Sequence, residues 1–294
     1  MFVCEDAMLF HSGLTKAVVA VISTAGLLIS ASTVQAMENF QRAKKELPGI
    51  YQTLDKEFGN TSTIYCGCDL SYSGGGKRVK WQLDLDSCGY EARKNAERAS
   101  RIEAEHVMPA WDFGHQLKCW QKGVRKECAK DDSFRQMEGD LHNLYPSVGE
   151  VNGDRGNFRF TDWNGKPNQY GKCEMVVDFK DKRAQPPKRA RGQIARAYLY
   201  MADQYDIRLA TQQRKLYEAW DKAYPVTQLD CRRNELIQKI QGNDNKFITE
   251  ACKLQKQSPA QMQNNDNSSK ATDKQEKIDV IKEATRSLLD GIFS

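Results

Sequence analysis

The sequence predicts a single α+β domain that is braced by disulfide bonds. Two stretches, 63–70 and 79–85, have the residue pattern typical of strands, and the glycines from Gly74 to Gly76 between them favour a turn. Apolar side chains recur at helical spacing in four longer stretches, 38–58, 186–205, 209–223 and 227–241. The chain has 294 residues, which is enough to bury a full hydrophobic core.

The N-terminus has the features of a secretory signal peptide. Lys16 precedes an apolar run over residues 17–30 that is too short to span a bilayer comfortably. The tripeptide Val34-Gln-Ala36 then fits a cleavage site made of small residues. We therefore expect residues 1–36 to be removed by cleavage after Ala36, leaving a periplasmic or secreted protein. An uncleaved membrane anchor is the alternative.

The cysteines favour disulfide bonds over a metal site. Eight of the nine follow the predicted leader: Cys66, Cys68, Cys88, Cys119, Cys128, Cys173, Cys231 and Cys252. An even number of cysteines in an exported chain is typical of a disulfide framework. A zinc site is disfavoured, because the chain has no Cys-x-x-Cys and the Cys66-Gly-Cys68 spacing is wrong for most zinc modules. Proximity in sequence suggests the pairs Cys119–Cys128 and Cys231–Cys252, and the other pairings stay open.

The charge balance suits an anionic partner without identifying one. The chain carries 44 Lys and Arg against 39 Asp and Glu, a formal net charge of +5. On the helix predicted over 186–205, Arg189 and Arg196 lie off the apolar stripe. They are predicted to contact the phosphates of a nucleic acid, although a solvated basic face explains the same pattern.

Composition divides the rest of the chain into three parts. Residues 37–254 contain the predicted core, whereas residues 255–277 have almost no apolar side chains and predict a disordered linker. Apolar residues return at helical spacing over 278–294 and predict a short amphipathic helix. That helix could dock on the domain, on a partner or on a membrane surface.

The residues best suited to chemistry are concentrated in two segments, 101–115 and 137–157. These segments contain the three histidines that follow the leader, His106, His115 and His142. Glu105 lies directly beside His106, so a carboxylate that can hold a hard cation adjoins a base that works near neutral pH. The combination points to metal-assisted hydrolysis of a phosphodiester. Because neighbouring side chains on a strand point to opposite faces, both can serve one site only at a strand end or a bulge.

Three motifs in this region occur in a fixed order along the chain. They are Glu105-His-Val-Met-Pro-Ala-Trp-Asp-Phe-Gly114, Gly139-Asp-Leu-His-Asn-Leu-Tyr-Pro146 and Gly149-Glu-Val-Asn-Gly-Asp-Arg155. Together they closely resemble the bacterial endonuclease I family, which contains exported, non-specific nucleases of the ββα-metal (His-Me finger) type. The resemblance covers roughly residues 38–255 and departs from the family pattern at Lys246, where proline is common.

The resemblance implies a role for each residue of the catalytic site. His106 would be the general base that activates the attacking water. Glu105 and Asn152 would ligate one Mg²⁺, or another divalent cation, through hard oxygen atoms. Arg125 would hold the scissile phosphate, and Glu138 would be a supporting carboxylate.

The other polar residues of the motifs have less direct roles in this interpretation. His142 and Asn143 would brace the fold of the finger rather than take part in chemistry. His115 is either structural or in contact with the product phosphate.

The sequence therefore predicts a monomeric, non-sequence-specific endonuclease with one metal ion and a histidine base. Its substrates would be DNA and RNA, bound through the phosphate backbone, because nothing in the sequence resembles a groove-reading module. One alternative is an exported nucleic-acid-binding protein without catalysis; another is a metal-dependent hydrolase of a different phosphoester. The combination of Glu105, His106, Arg125 and Asn152 argues against binding alone, since binding needs no general base.

Overall fold

A computed structural model of the chain describes residues 39–59 and 61–257. The predicted signal peptide, most of the predicted linker and the predicted C-terminal helix lie outside the described residues. No helix among the described residues is long and apolar enough to cross a membrane.

The described residues form helices and short strands that alternate along the chain. The helices are α1 (Phe40–Phe58), α2 (Ala96–Ala99), α3 (Ala110–Gly114), α4 (Lys118–Cys128), α5 (Asp132–Gly139), α6 (Gly149–Arg155), α7 (Lys188–Gln204), α8 (Thr211–Ala223), α9 (Gln228–Gln241) and α10 (Lys246–Gln257). The strands are β1 (Leu70–Ser73), β2 (Lys80–Leu83), β3 (Ile102–His106), β4 (Leu144–Val148), β5 (Arg159–Phe160), β6 (Val176–Asp178) and β7 (Arg183–Gln185).

The strands form three small sheets. β1 pairs with β2 and β3 pairs with β4, both antiparallel, while β7 lies between β5 and β6, parallel to β5 and antiparallel to β6. Sheets of two or three strands cannot build a core by themselves, so the helices supply most of it. The predicted α+β class is confirmed.

Two of the long predicted helices, α1 and α7, bury the apolar faces that their sequences predict. α1 begins after Asn39, whose side chain accepts a hydrogen bond of 3.0 Å from the backbone of Arg42. Its buried face, which includes Leu47 and Leu54, joins a hydrophobic cluster with α9 and β4. α7 is buried on most of its sides and lies in the main core.

The prediction of a strand over residues 63–70 is wrong for most of that stretch. The structure forms a turn there, closed by a 3.0 Å hydrogen bond from the Thr63 amide to the Cys68 carbonyl, and β1 begins only at Leu70. Gly67 has a φ of +72°, a left-handed backbone conformation that favours glycine. The cysteines on either side of it are bonded to different segments, so the chain must bend between them.

All eight cysteines after the predicted leader form disulfides. The pairs suggested by proximity, Cys119–Cys128 and Cys231–Cys252, are confirmed. The other two bonds join Cys66 to Cys173 and Cys68 to Cys88. Cys66–Cys173 links positions 107 residues apart, which ties the turn before β1 to the region of β6.

The last described helix continues beyond the predicted domain boundary at residue 254. α10 reaches Gln257, so the first three residues of the predicted linker are helical. Gln255 explains the difference, because its Nε2 donates a 2.7 Å hydrogen bond to the carbonyl of Val226 and its Oε1 accepts one from Gln228. A polar side chain can belong to a folded helix when its partners are supplied by a neighbouring segment.

We predict that a chain ending at Gln257 unfolds in urea with the same free energy as the full-length mature protein. A chain ending at Leu254 loses the Gln255 contact to Val226. Its unfolding free energy should fall by about 1 kcal/mol, the net contribution of one hydrogen bond. Equal stability of the two truncated chains would show that the domain ends at Leu254.

Candidate active site

The central motif residues are brought together by two strands and a helix. β3 and β4 are antiparallel, with Glu105 opposite Tyr145 and His106 opposite Leu144. α6 follows β4 directly and carries Asn152. The sequence requires a strand end or a bulge if Glu105 and His106 are to serve one site. β3 ends at His106, so this requirement is met.

β3 and α6 border a cavity of about 710 Å³. Four of the predicted site residues line it, namely Glu105, His106, Arg125 and Asn152. Its wall also includes two residues that the sequence analysis missed, Arg98 and Glu103. Aromatic side chains complete the lining, contributed by Phe40, Trp111 and Trp120.

The imidazole of His106 is held in one orientation. Its Nε2 lies 2.7 Å from the carbonyl oxygen of Glu138, and since a carbonyl only accepts, Nε2 carries the proton. Nδ1 is then the nitrogen with the free lone pair. The ring also packs against Phe40, with 4.5 Å between the ring centroids. Burial lowers the pKa of His106 to about 4, helped by the positive charge of Arg125 and opposed by the bond to Glu138.

Glu105 is almost fully buried and has two strong partners. Its Oε1 accepts a 2.6 Å hydrogen bond from the Tyr65 hydroxyl and forms a 2.9 Å ion pair with Nη1 of Arg155. Burial nevertheless raises the pKa of Glu105 to about 7, against the effects of Arg155 and Tyr65. Both partners contact the same oxygen, so Oε2 is the oxygen left for a ligand in the cavity.

Asn152 is oriented by Glu103 and Arg98. Its Nδ2 donates a 2.8 Å hydrogen bond to Oε2 of Glu103, which identifies Oδ1 as the acceptor oxygen of the amide. Arg98 holds both oxygens of Glu103 through two hydrogen bonds of 2.9 Å. A Cβ atom at Gly153 would overlap the Arg98 guanidinium, so a larger residue there would have to displace Arg98 from its present position.

The missed glutamate had a signal in the sequence. Glu103 and Glu105 are two residues apart on β3, and residues at this spacing lie on the same face of a strand. A second carboxylate on the face of Glu105 could therefore have been predicted once the strand was recognised. Arg98 had no comparable signal, because it lies on α2, outside both motif-bearing strands.

The oxygen atoms in the cavity fit a hard divalent cation. Glu105 offers one carboxylate oxygen and Asn152 one amide oxygen, the ligand types that Mg²⁺ prefers. No cluster of three or more His, Cys, Asp or Glu side chains suited to a metal occurs in the described part of the chain. A cation bound here would thus have few protein ligands and would keep several waters, which is typical of Mg²⁺.

Arg125 reaches the cavity from α4. Its side chain is 53% exposed, and its Nε donates a 2.6 Å hydrogen bond to Oε1 of Glu138. The helix is interrupted just before it, where Gly123 and Val124 have non-helical backbone angles. The Cys119–Cys128 disulfide closes a ring around this interruption and thereby restrains the position of Arg125.

Glu138 does not line the cavity itself. It contributes its backbone carbonyl to His106 and its carboxylate to Arg125. Both contacts orient other residues of the site, which suits a positioning role better than a direct part in the reaction.

The two histidines outside the cavity differ in their surroundings. His142 is 1% exposed, and its Nε2 lies 3.0 Å from the carbonyl oxygen of Asn243. Asn143 beside it bonds both the amide and the carbonyl of Met108, at 2.7 and 2.9 Å, and so fixes the segment that follows His106. His115 is exposed and stacks on the indole of Trp111.

The prediction that Arg196 contacts a nucleic acid is wrong. Arg196 is 2% exposed, and its Nη1 donates to Asp221 at 3.2 Å and to the carbonyl of Tyr224 at 2.9 Å. Its charge is used inside the protein, where no phosphate can reach it. Arg189 is exposed and donates a 3.3 Å hydrogen bond to the Thr63 carbonyl, but it does not line the cavity, so its contact with nucleic acid stays a prediction.

We predict that His106 makes the fold less stable as the pH falls below 6.5. Because its folded pKa is lowered from 6.5 to about 4, the unfolded chain binds a proton in this window that the folded chain does not. The stability present above pH 6.5 is therefore lost as the pH falls towards 4. One pKa unit corresponds to about 1.4 kcal/mol, so the loss between pH 6.5 and 5 should reach up to about 2 kcal/mol.

The matched variant is His106→Gln, which keeps a donor for the Glu138 carbonyl and does not titrate. Urea unfolding of both proteins at pH 7 and pH 5 should show a smaller loss of stability in the variant. If wild type and variant lose the same free energy, His106 is not held neutral by the fold.

Comparison with known proteins gives consistent matches over most of the chain. The family model for endonuclease I matches residues 39–252. An extracellular deoxyribonuclease of Aeromonas hydrophila is 58% identical over 228 residues, covering 77% of this chain and 95% of the relative. A periplasmic deoxyribonuclease of the same species is 57% identical over 231 residues, covering 77% and 93%. Endonuclease-1 of Buchnera aphidicola subsp. Acyrthosiphon pisum is 47% identical over 218 residues, covering 74% and 83%.

The names of these relatives agree with the predictions of an endonuclease and of an exported protein. The family match spans nearly all of the described residues, including every residue that lines the cavity. The resemblance seen in the three motifs is thus confirmed, and the chain belongs to the endonuclease I family.

Proposed function

We propose that this chain is an exported endonuclease that hydrolyses phosphodiester bonds of DNA, and also of RNA, without sequence specificity. The observation that carries the proposal is the imidazole of His106, held by its Nε2 in a cavity that Glu105, Asn152 and Arg125 also line. In this proposal β3, β4 and α6 form a ββα-metal (His-Me) finger around a single divalent cation, Mg²⁺.

His106 acts as the general base. Its Nε2–H donates to the Glu138 carbonyl, so Nδ1 accepts a proton from the attacking water. With a pKa of about 4 the imidazole is unprotonated at neutral pH, as a base must be. The imidazolium that forms is stabilised by the same carbonyl, since this hydrogen bond favours the protonated ring.

Glu105 and Asn152 are the residues that would hold the cation. When bound, Mg²⁺ supplies positive charge that stabilises the non-bridging and leaving oxygens of the phosphate. Glu103 keeps the amide oxygen of Asn152 available by accepting a hydrogen bond from its Nδ2. Arg98 keeps Glu103 in place, so these two residues position a ligand without being ligands themselves.

Arg125 binds the scissile phosphate. Its guanidinium is half-exposed at the cavity wall, and the bond to Glu138 engages its Nε side and leaves Nη1 free to donate to a phosphate oxygen. Glu138 fixes the direction of the guanidinium and is a positioning residue in this proposal.

The substrate range follows from contacts to phosphate rather than to bases. The cavity combines cationic side chains and oxygen ligands, which recognise the backbone that all sequences share. A site that grips phosphate also tolerates the 2′-hydroxyl of RNA. The relatives named as deoxyribonucleases support DNA as a substrate, and those named extracellular or periplasmic support export through the predicted signal peptide. We propose that the enzyme acts as a monomer.

An in-gel nuclease assay tests the proposed function. The mature protein should clear both DNA and RNA at its own mass in the presence of Mg²⁺, and EDTA should abolish the clearing. A protein that binds DNA but clears neither substrate would be the non-catalytic binding protein. Clearing that EDTA does not affect would remove the metal from the proposal.

We predict that His106→Ala and His106→Gln both lower kcat/KM for DNA by two or more orders of magnitude, roughly the contribution of one general base. The glutamine variant retains a donor to the Glu138 carbonyl, so a loss in both variants assigns the effect to the base. Binding of DNA in EDTA, measured by fluorescence anisotropy, should stay close to wild type. Activity within about threefold of wild type in either variant would contradict the assignment.

We predict that the Cys119–Cys128 disulfide matters for activity beyond its contribution to stability. It closes the ring around Arg125, whereas Cys231–Cys252 joins α9 to α10 away from the cavity. Each bond should contribute about 2–4 kcal/mol to the unfolding free energy. The Cys119→Ser/Cys128→Ser variant should lose at least tenfold in kcat/KM, with the rise in KM expected when a phosphate-binding arginine is loosened.

The matched control is the Cys231→Ser/Cys252→Ser variant. It should lose similar stability in thermal unfolding and keep kcat/KM within about twofold of wild type at a temperature where both variants are folded. Equal losses of activity in the two variants would mean that the disulfides act only through global stability.

A further inference from the structure

The active-site cavity contains an aromatic surface that phosphate chemistry does not require. Trp111 lines this cavity and is 45% exposed. The other large apolar side chains that the described residues leave exposed are Phe58, Val124, Phe179 and Leu254, and none of them lines the cavity. Tryptophan is enriched at binding interfaces, and ligand-binding cavities are lined mainly by apolar and aromatic side chains.

The indole is held rigidly from one side. The imidazole of His115 stacks on it, with ring centroids 4.1 Å apart and an angle of 15° between the ring planes. A 2.6 Å contact between Nδ1 of His115 and the Trp111 carbonyl fixes the imidazole in turn. Because His115 covers one face of the indole, the exposed area belongs to the other face and to the ring edges.

A flat, half-covered aromatic ring beside a phosphate-binding arginine has the composition of a nucleotide subsite. Arg125 lines the same cavity. A nucleic-acid strand whose phosphate is bound by Arg125 would therefore place a neighbouring base next to the cavity wall. Aromatic side chains bind bases of any sequence by stacking, because every base has a π face. In a regular duplex the base faces are already stacked on each other and are out of reach.

We propose that Trp111, positioned by His115, is a binding site for an unstacked nucleobase next to the scissile phosphate. This site makes the enzyme grip single strands, frayed ends and unpaired nucleotides more tightly than continuous duplex. The inference rests on the proposed nuclease function and adds a substrate preference to it. Trp111 contacts the substrate base, and His115 acts only through Trp111.

The test compares the affinities of a labelled single strand and of the matching duplex, measured by fluorescence anisotropy in EDTA. Trp111→Leu keeps an apolar side chain and removes the ring. The ratio of single-strand to duplex affinity should fall at least fivefold, since a stacked base contributes about 1–3 kcal/mol. Trp111→Phe keeps a ring and should hold the ratio within about threefold of wild type.

Three further variants separate stacking from other effects. Phe179→Leu removes an exposed aromatic ring outside the cavity, and the affinity ratio should not change. His115→Ala should lower the ratio and His115→Phe should restore it, because only the stacked ring is needed. A merely structural role of His115 would not give that rescue.

The outcomes distinguish this inference from the function on which it rests. An affinity ratio that Trp111→Leu leaves within twofold of wild type, in an enzyme that cleaves DNA with Mg²⁺, refutes the nucleobase site alone. Equal losses for single strand and duplex also refute it, because the indole would then contact the duplex. If the wild-type protein cleaves neither substrate, the proposed nuclease function itself fails.

Discussion

The ion pair between Arg155 and Glu105 holds the end of β3 at the cavity of the candidate site. Both side chains are buried, with 0% and 3% of their surfaces exposed, and Arg155 also donates to the carbonyls of His106 and Val107. A fourth bond, to the hydroxyl of Tyr198, connects the guanidinium to α7. Loss of either partner would leave a buried charge uncompensated, at a cost of about 3–5 kcal/mol. The end of β3 is therefore fixed against the core by one arginine.

Buried arginines join neighbouring segments at two other places in the domain. Arg233 on α9 donates to the carbonyls of Leu141 and Leu144 at 2.8 and 2.7 Å, which fixes the start of β4. Arg196 on α7 joins the end of α8 to the start of α9 through Asp221 and Asp230. The sheets are too small to satisfy the backbone groups of these irregular segments, so buried guanidinium groups provide the missing donors.

The sequence predicted those parts of the fold that depend on residues close together in the chain. It did not predict the parts that depend on contacts between distant residues. The helices α1 and α7 follow from their apolar periodicity, and the disulfide Cys119–Cys128 from proximity. The turn at Gly67 was missed because the residue pattern of this stretch favours a strand and does not reveal that Cys66 and Cys68 are bonded to two different segments. Arg196 was misjudged for a similar reason, since a helical pattern does not reveal acidic partners 25 and 34 residues away.

The candidate site shows the same limit. The motifs identified the residues that the structure gathers around the cavity, whereas the side chains that orient them were harder to see. Glu103 and Arg98 act on Asn152, and Glu138 acts on His106 and Arg125. Such residues are defined by what they touch in three dimensions, and the chain separation between partners hides those contacts.

The position of Glu105 reverses a familiar trade-off between activity and stability. Active-site residues often destabilise a fold, so inactive variants of many enzymes are more stable than their parents. Here the carboxylate that faces the cavity is also the counter-ion of a fully buried arginine. If Glu105 has the role proposed above, a mutation that removes it would abolish the reaction and also destabilise the core. Variants of this enzyme therefore could not gain thermal stability by losing catalysis through a substitution of that residue.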